Sequence, residues 1–254
     1  MVKVFLVLPD LSRRKAEAIE RLYEEGLAVR VLASYTILLA KPRMLESLKR
    51  LKLEGAIEEV MLDSGAYHVL RQGAKVDVSS YAGFASRHGR LWDYVVAPDV
   101  PGDPAATIER TLEFSKAYKG DYMAVAQGGS VEEYVSVAEE LAGIPGSIGV
   151  LGVGGLDGEK RRLGFASRLV GSLAARGFVR LHLFGAGAKH VRGLARRGLL
   201  SYVSSIDTTA WLAEIVYRRR TVYGVEGIVE ANMAAITGYM NRILRILRAT
   251  ATSA

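Results

Sequence analysis

The sequence contains no cysteine among its 254 residues. That absence excludes disulfides, thiolate catalysis and zinc sites built on cysteine. Histidine is also scarce, since only four are present and their positions lack the spacing of metal ligands. We therefore expect neither a bound metal nor a cofactor.

Long apolar runs are missing as well. No stretch reaches the roughly 20 apolar residues that a membrane-spanning helix needs. The apolar run at residues 2–8 is brief and leads into Asp10 and a charged segment, without a small-residue cleavage site. It therefore predicts a first strand rather than a signal peptide. We expect a cytoplasmic protein that does not contact membranes.

Positive charge exceeds negative charge. The net charge is +7, and the isoelectric point is about 9.6. Such a balance favours a polyanionic partner such as nucleic acid, although a basic surface with no specific partner explains it equally well. The candidate nucleic-acid-binding residues are Arg218, Arg219 and Arg220, and further arginines cluster at residues 161–162, 196–197 and 242–248.

Short apolar runs alternate with amphipathic segments along the whole chain. Eight runs read as strands, at residues 2–8, 34–40, 59–62, 94–98, 122–126, 147–152, 180–184 and 202–206. Their alternation predicts an α/β fold, a (β/α)8 TIM-type barrel, whose usual length is about 250 residues. An open doubly wound sheet is the alternative. No linker or repeat requires a second domain, so residues 1–254 are expected to form one domain.

Helix signals support this organisation. Asp103 followed by Pro104 predicts a helix start, and Ser130 begins a capping-box pattern. Residues 64–93 are long for one connection, which predicts a loop over the site and a short helix. Residues 228–249 predict a basic C-terminal helix with an apolar stripe. Closure of the barrel is its simplest role, and a homodimer interface or a nucleic-acid groove are the alternatives.

Polar residues follow several of the predicted strands, and active sites of such barrels lie at the carboxyl ends of the strands. Asp63 and Asp207 form a pair of carboxylates suited to acid–base and nucleophilic work at a sugar carbon. Asp99 and Gln127 can accept from and donate to the edge of a guanine-like base. For any one aspartate, a helix cap is the alternative.

Glycines and aromatics complete the candidate binding residues. Gly128, Gly154 and Gly155 let a ligand approach the backbone, although tight turns explain them as well. Tyr67 and Phe184 can stack on a planar base, although core packing is the commoner role of aromatics at strand ends.

The segments LDSGAY, VAPDVPGD, VAQGG, GVGGL, HLFGAG and SSIDTTAW occur in this order between Leu62 and Trp211. Together they resemble the tRNA-guanine transglycosylase superfamily of queuosine and archaeosine biosynthesis. HLFGAG is similar to the archaeal tRNA enzymes. The stretches GAKVDVSSYAGF and WDYVVAPDVPGDPAAT are more similar to compact phage-type DNA 7-deazaguanine transglycosylases.

The resemblance implies a pentosyltransferase that replaces guanine in DNA or tRNA by a 7-deazaguanine such as preQ0. Asp207 would be the nucleophile at C1′, forming a covalent intermediate, and Asp63 the general acid and base. Asp99 and Gln127 would read the base edge with the backbone at residues 154–155, while the aromatics at 67 and 184 would enclose the base.

The sequence differs from the tRNA enzymes at two points, which put tRNA as the substrate in doubt. The tRNA enzymes carry a cysteine-rich zinc site, which this chain cannot form, and Ala66 stands where they usually have a second glycine. The alternatives are a nucleoside or nucleotide N-glycosidase and a non-catalytic nucleic-acid-binding or partner-subunit protein.

Overall fold

Parallel strands alternating with helices build the chain, as the sequence pattern predicts. The computed structural model describes residues 2–66, 75–156, 163–219 and 224–251. Within these ranges eight strands form one sheet. They are β1 (Lys3–Leu8), β2 (Val29–Ser34), β3 (Ile57–Asp63), β4 (Tyr94–Val95), β5 (Val125–Ala126), β6 (Leu151–Val153), β7 (Leu181–Leu183) and β8 (Val203–Thr208).

Helices connect these strands and cover the outside of the sheet. The described α-helices are α1 (Arg13–Glu24), α2 (Tyr35–Ala40), α3 (Pro42–Leu53), α4 (Val78–Arg87), α5 (Pro104–Ala117), α6 (Val131–Ala142), α7 (Leu163–Ala175), α8 (Ala188–Ala195), α9 (Ala210–Arg219) and α10 (Gly224–Ala251). Short 3-10 helices span Gly89–Leu91 and Leu199–Tyr202. In the described part of the chain, no helix is both long and apolar enough to span a membrane.

The sheet closes into a ring. Its order is β4-β3-β2-β1-β8-β7-β6-β5, which leaves β4 and β5 at the two ends. A parallel bridge between Val96 and Met123 joins those ends. The Met123 amide donates to Val95 O at 2.8 Å, and the Ala97 amide donates to Met123 O at 2.9 Å. The fold is therefore the predicted TIM-type barrel, and the open doubly wound sheet is excluded.

An apolar layer fills the middle of the barrel. Side chains two residues apart on a strand point to the same face, so alternate residues of each strand enter the interior. The interior cluster contains Phe5, Leu32, Met61, Val96, Met123, Val125 and Val150. A larger apolar core lies between the strands and the surrounding helices.

Charged side chains close the amino-terminal end of the barrel. Lys3 Nζ lies 2.5 Å from Glu59 Oε1 and donates to Tyr94 Oη at 3.0 Å. Arg30 Nε lies 3.1 Å from the other Glu59 carboxylate oxygen. We refer to these four residues as the barrel floor. Because each charge there has a partner of opposite sign, the floor avoids the cost of unpaired buried charge.

One predicted strand is wrong. Residues 34–40 form helix α2 after Ser34, and the second strand is the preceding segment Val29–Ser34. Only Tyr35 and Leu38 of α2 are buried. Their separation of three residues suits one helical face, whereas a buried strand of a parallel sheet packs on both faces.

The predicted helix starts are confirmed. The Asp103 carboxylate accepts from the Ala106 amide at 3.0 Å, and Pro104 is the first residue of α5. Ser130 and Glu133 form a complete capping box at the start of α6. The connection after β3 contains the predicted short helix, α4, whereas residues 67–74 lie outside the described ranges.

The C-terminal helix α10 packs against α1, α8 and α9. Its apolar stripe is covered within the chain, since Ile236 and Ile243 are fully buried. Asn232 Nδ2 donates to the carbonyl of Arg14 at 3.3 Å, and Arg242 pairs with Glu214. Closure of the helical layer thus explains the stripe, while a homodimer stays a prediction.

Candidate active site

The carboxyl ends of the strands bring Asp63, Asp99, Gln127 and Asp207 to one mouth of the barrel. Asp63 is the last residue of β3, and Asp207 is the fifth residue of β8. Asp63 follows the interior residue Met61 by two positions, so its side chain shares the inward face. The negative charges of Asp99 and Asp207 both raise the pKa of Asp63, in keeping with three carboxyl groups at one end of the barrel.

The pKa of Asp63 is shifted toward neutrality. Burial, followed by the negative charge of Asp99, raises the pKa of Asp63 to about 7. Its Oδ2 accepts a hydrogen bond from the Gly65 amide at 2.9 Å, which opposes the rise without cancelling it. A carboxyl group with this pKa can both give and take a proton near neutral pH, as acid–base catalysis requires.

This pKa predicts a pH-dependent stability. Between pH 4 and 7 folded Asp63 holds a proton that the unfolded chain has released, so stability falls as pH rises. A pKa that rises from 3.8 to about 7 on folding changes the free energy of unfolding by at most about 4 kcal/mol across this pH range. We expect Asp63→Asn to gain stability relative to the wild type as pH rises from 4.5 to 8, measured by thermal unfolding.

The matched control is Asp121→Asn, because Asp121 is exposed and precedes β5, on the side of that strand opposite Gln127. Its difference from the wild type should stay constant over the same pH range. A pH-independent difference for Asp63→Asn would contradict the raised pKa.

A close backbone approach holds Asp63 in place. Gly65 has φ +80°, in the left-handed region that favours glycine. A β-carbon at Gly65 would lie 2.3 Å from both Ser34 Oγ and Thr36 Oγ1. These hydroxyls are 3.0 Å apart and hydrogen-bonded to each other. The turn after β3 therefore rests on the end of β2, which fixes the amide that donates to Asp63.

Tyr81 supports the same region from outside the barrel. It is fully buried, and its hydroxyl donates to Val96 O at 2.7 Å and lies 3.3 Å from Leu62 O. Burial raises the pKa of Tyr81 well above its usual value, with the charge of Asp63 adding to the effect. The hydroxyl thereby joins the ends of β3 and β4, which lead to Asp63 and Asp99.

Asp207 is fixed by two contacts on one oxygen. Its Oδ1 accepts from the Gly185 amide at 2.9 Å and lies 3.3 Å from His182 Nε2. Only 6% of Asp207 is exposed. Both of these contacts involve Oδ1 rather than Oδ2.

His182 is a site residue that the motif pattern does not single out. The ring is fully buried, and its Nδ1 lies 2.8 Å from Ser205 Oγ. His182 on β7 and Phe184, the residue after β7, differ by two positions, as do Ser205 and Asp207 on β8. This period-two spacing is the signal that could have placed His182 beside Asp207.

Asp99 and Gln127 form a second pair at the mouth. Gln127 Nε2 donates to Asp99 Oδ2 at 2.5 Å. Burial raises the pKa of Asp99, and the hydrogen bond from Gln127 opposes that rise. Gln127 is 2% exposed, and its buried Oε1 accepts no hydrogen bond among the described residues. That oxygen is therefore an acceptor that a ligand donor can satisfy.

The three glycines predicted to contact a ligand lie in the segments next to Gln127. A β-carbon at Gly154 would lie 2.1 Å from Gln127 Nε2, so Gly154 gives the amide its room. The Gly154 carbonyl accepts from Tyr134 Oη at 2.7 Å. At Gly128 a β-carbon would lie 2.9 Å from the Tyr134 amide, and Gly155 has φ +64°. Close packing and turn geometry thus account for the three glycines, and their binding of a ligand stays a prediction.

The structure describes only some of the remaining predicted residues. Phe184 follows β7 on the inner side, with its ring centroid 4.4 Å from that of His182. Its role in stacking is untested. Tyr67 and Arg220 lie outside the described residues. Arg218 and Arg219 lie on α9, where the structure describes the backbone alone. Across the described ranges, no group of three or more acidic or histidine side chains is arranged to hold a metal ion.

Comparison with known proteins gives structural neighbours only. No protein-family model matches the chain, and no curated protein matches it. A protein assigned as a fructose-1,6-bisphosphate aldolase of Coccidioides immitis matches with a TM-score of 0.63 and 16% identity, over 95% of this chain and 89% of that chain. The YdjI aldolase of Escherichia coli K12 matches with a TM-score of 0.59 and 11% identity, over 96% and 90%.

A third neighbour is the N-acetylneuraminate lyase of Mycoplasma synoviae, with a TM-score of 0.53 and 14% identity, over 95% of this chain and 80% of that chain. All three neighbours are named as aldolases or lyases. At these identities the likeness establishes the barrel fold and leaves the substrate open.

The predicted membership of the tRNA-guanine transglycosylase superfamily is wrong, because the neighbours are aldolases and a lyase. The function that this resemblance implied is wrong as well: the assignments to guanine exchange, to a pentosyltransferase, to 7-deazaguanine and to queuosine are not supported by these neighbours. The physical reason lies in the barrel itself. Its strands all end at the face where active sites of such barrels lie, so barrels of different families can carry short polar and glycine signatures there. Their order reflects the fold and carries little family information.

Proposed function

We propose that this chain is a lyase-type enzyme that cleaves or forms a carbon–carbon bond next to a carbonyl group in a small polyhydroxylated substrate. The observation that carries the proposal is Asp63, a carboxyl group at the barrel mouth with a pKa of about 7. Groups tuned to neutral pH in this way are typical of catalytic acids and bases. The aldolase and lyase neighbours on the same fold support the reaction class.

The two interacting aspartates divide the proton transfers. Asp207 Oδ2 takes the proton from the β-hydroxyl group of the substrate, and Oδ1 keeps its contacts with Gly185 and His182. The carbon–carbon bond then breaks, and its electron pair moves toward the carbonyl group. Protonated Asp63 donates to the carbonyl oxygen, giving an aldehyde and an enol. The enol becomes the ketone when its carbon takes up the proton held by Asp207 and its hydroxyl group returns a proton to Asp63, which restores both aspartates to their starting states.

The second pair anchors the substrate. Gln127 Oε1 lacks a hydrogen-bond donor among the described residues, and Asp99 supplies further carboxylate oxygen. Both are acceptors, so they suit a ligand rich in hydroxyl donors. This preference for donors favours polyhydroxylated compounds over purely acidic ones.

Among the residues that the structure describes, no lysine side chain lies on a strand at the mouth end of the barrel. Among the described residues, the strand lysine is Lys3, which lies in the barrel floor and pairs with Glu59. Carboxylate acid–base chemistry is therefore the activity that this chain's own mouth residues provide.

Proton NMR in D2O tests the proposal. Fructose 1,6-bisphosphate and N-acetylneuraminate serve as hydroxylated probes, and dihydroxyacetone phosphate and pyruvate report exchange next to a carbonyl group. We expect cleavage or exchange that falls tenfold per pH unit above pH 7, because Asp63 ionises there. Asp63→Asn should reduce the rate about 100-fold or more.

The matched control for this assay is Asp103→Asn, since Asp103 caps α5 and does not contact the mouth pair. It should keep the wild-type rate. Absence of both cleavage and exchange with all four probes, at every pH between 5 and 9, would refute the proposed reaction.

A further inference from the structure

A basic groove lies at the end of the barrel opposite the catalytic mouth. Its volume is about 1420 Å³, and its walls come from α8 and the end of α10. Val2, which precedes β1, and Val203, the first residue of β8, form its base. Because both mark the amino-terminal ends of strands, the groove is separate from the site at Asp207.

Arginines supply the charged side chains of the groove lining. Its lining contains five of them and no acidic residue among those described; they are Arg192, Arg196, Arg242, Arg245 and Arg248. Arg242 pairs with Glu214 outside the lining. For Arg192, Arg196 and Arg245 the structure gives no ion pair with any described residue, and all three are exposed. The groove therefore concentrates uncompensated positive charge, which attracts anions.

The two helices present these charges as facing rows. Arg192 and Arg196 are four positions apart, and Arg242 and Arg245 are three apart, so each pair shares a helix face at a separation of about 5–6 Å. The groove also exceeds the 300–1,000 Å³ usual for small-molecule pockets. An extended polyanion with regularly repeated charges fits this arrangement better than a single phosphorylated metabolite.

We propose that this groove binds the sugar–phosphate backbone of a single-stranded nucleic acid, independently of sequence. The net charge of +7 supports such a partner. Leu200, Leu244, Ile246 and Leu247 also line the groove and give it apolar surface beside the arginines. The proposal does not depend on the proposed lyase chemistry, because the two sites occupy opposite ends of the barrel.

Fluorescence anisotropy with a labelled 20-nucleotide oligothymidylate, in 50–200 mM NaCl, tests the groove. We expect the wild type to bind with an affinity that decreases with salt. The triple variant Arg192→Gln, Arg196→Gln, Arg245→Gln should bind at least tenfold more weakly. Loss of three phosphate contacts should make the log–log salt slope shallower by about 2.

The matched control removes three exposed arginines elsewhere, as Arg43→Gln, Arg87→Gln, Arg90→Gln. It changes the net charge equally and should retain most of the affinity and the wild-type slope. Circular dichroism establishes that both variants are folded. Equal weakening by the two triple variants would show diffuse attraction and overturn the proposal.

Two further measurements separate the groove from a protein-binding surface and from the catalytic site. A 20-residue polyglutamate that competes as well as the oligonucleotide would identify an acidic protein segment as the occupant and overturn the proposal. Asp207→Asn should bind the oligonucleotide as the wild type does. This last result distinguishes failure of the groove from failure of the catalytic site.

Discussion

Replacing Asp207 by asparagine should reduce turnover by a factor of about 100 to 10,000 while leaving the fold intact. Asparagine has the same shape, and its Oδ1 can still accept from the Gly185 amide and lie beside His182. The change removes proton acceptance at Oδ2, so the loss falls on kcat rather than on substrate affinity. Steady-state kinetics, on any probe that the wild type turns over, gives the effects of the substitution on kcat and on KM separately.

His182→Gln provides a graded companion to that variant. His182 Nε2 lies 3.3 Å from Asp207 Oδ1, and its Nδ1 lies 2.8 Å from Ser205 Oγ. Because His182 acts through Asp207, we expect a smaller loss in kcat than for the aspartate. If the Asp207→Asn variant keeps the wild-type kcat, Asp207 is not the proton acceptor of the proposed mechanism.

Replacing Gly65 by alanine should be among the most destabilising single changes in the chain. The new β-carbon would lie 2.3 Å from two hydroxyl oxygens, and the backbone φ of +80° disfavours any side chain. Strain at φ and overpacking together predict a loss of about 2–4 kcal/mol in the free energy of unfolding. Urea unfolding measures it as a lower midpoint with an unchanged slope.

Gly26→Ala isolates the conformational part of that loss. Gly26 has φ +87°, and nothing lies within 4 Å of the point that a β-carbon would occupy there. Its substitution should cost about 1 kcal/mol, from the backbone alone. If the two variants are equally unstable, the contact with Ser34 and Thr36 contributes nothing. If Gly65→Ala is as stable as the wild type, the close approach is absent.

Strand-end placement of the four polar mouth residues could be predicted from sequence because parallel buried strands have a clear pattern. Asp63, Asp99, Gln127 and Asp207 each follow a run of apolar residues, and the fold takes such positions to one face. Helix starts at Asp103 and Ser130 could be predicted as well, since capping depends on neighbours in the chain.

What escaped prediction depends on contacts between distant segments. His182 becomes a site residue only when β7 and β8 align, which pairs it in register with Ser205. Residues 35–40 form a helix that buries one face and exposes apolar side chains such as Leu39, which is 54% exposed. The apolar run by itself does not show which of its side chains will be exposed. The family resemblance failed for a related reason, because signatures imposed by a common fold do not identify a reaction.

Strand β8 has an end in each of the two proposed sites. Val203 borders the arginine groove, and Asp207 lies four residues further along, a distance of about 13 Å. Between these ends the barrel interior is filled by the apolar layer that contains Phe5, Met61 and Met123. Any communication between polymer binding and catalysis must therefore be mechanical, through displacement of the barrel wall, rather than by diffusion of substrate from one site to the other.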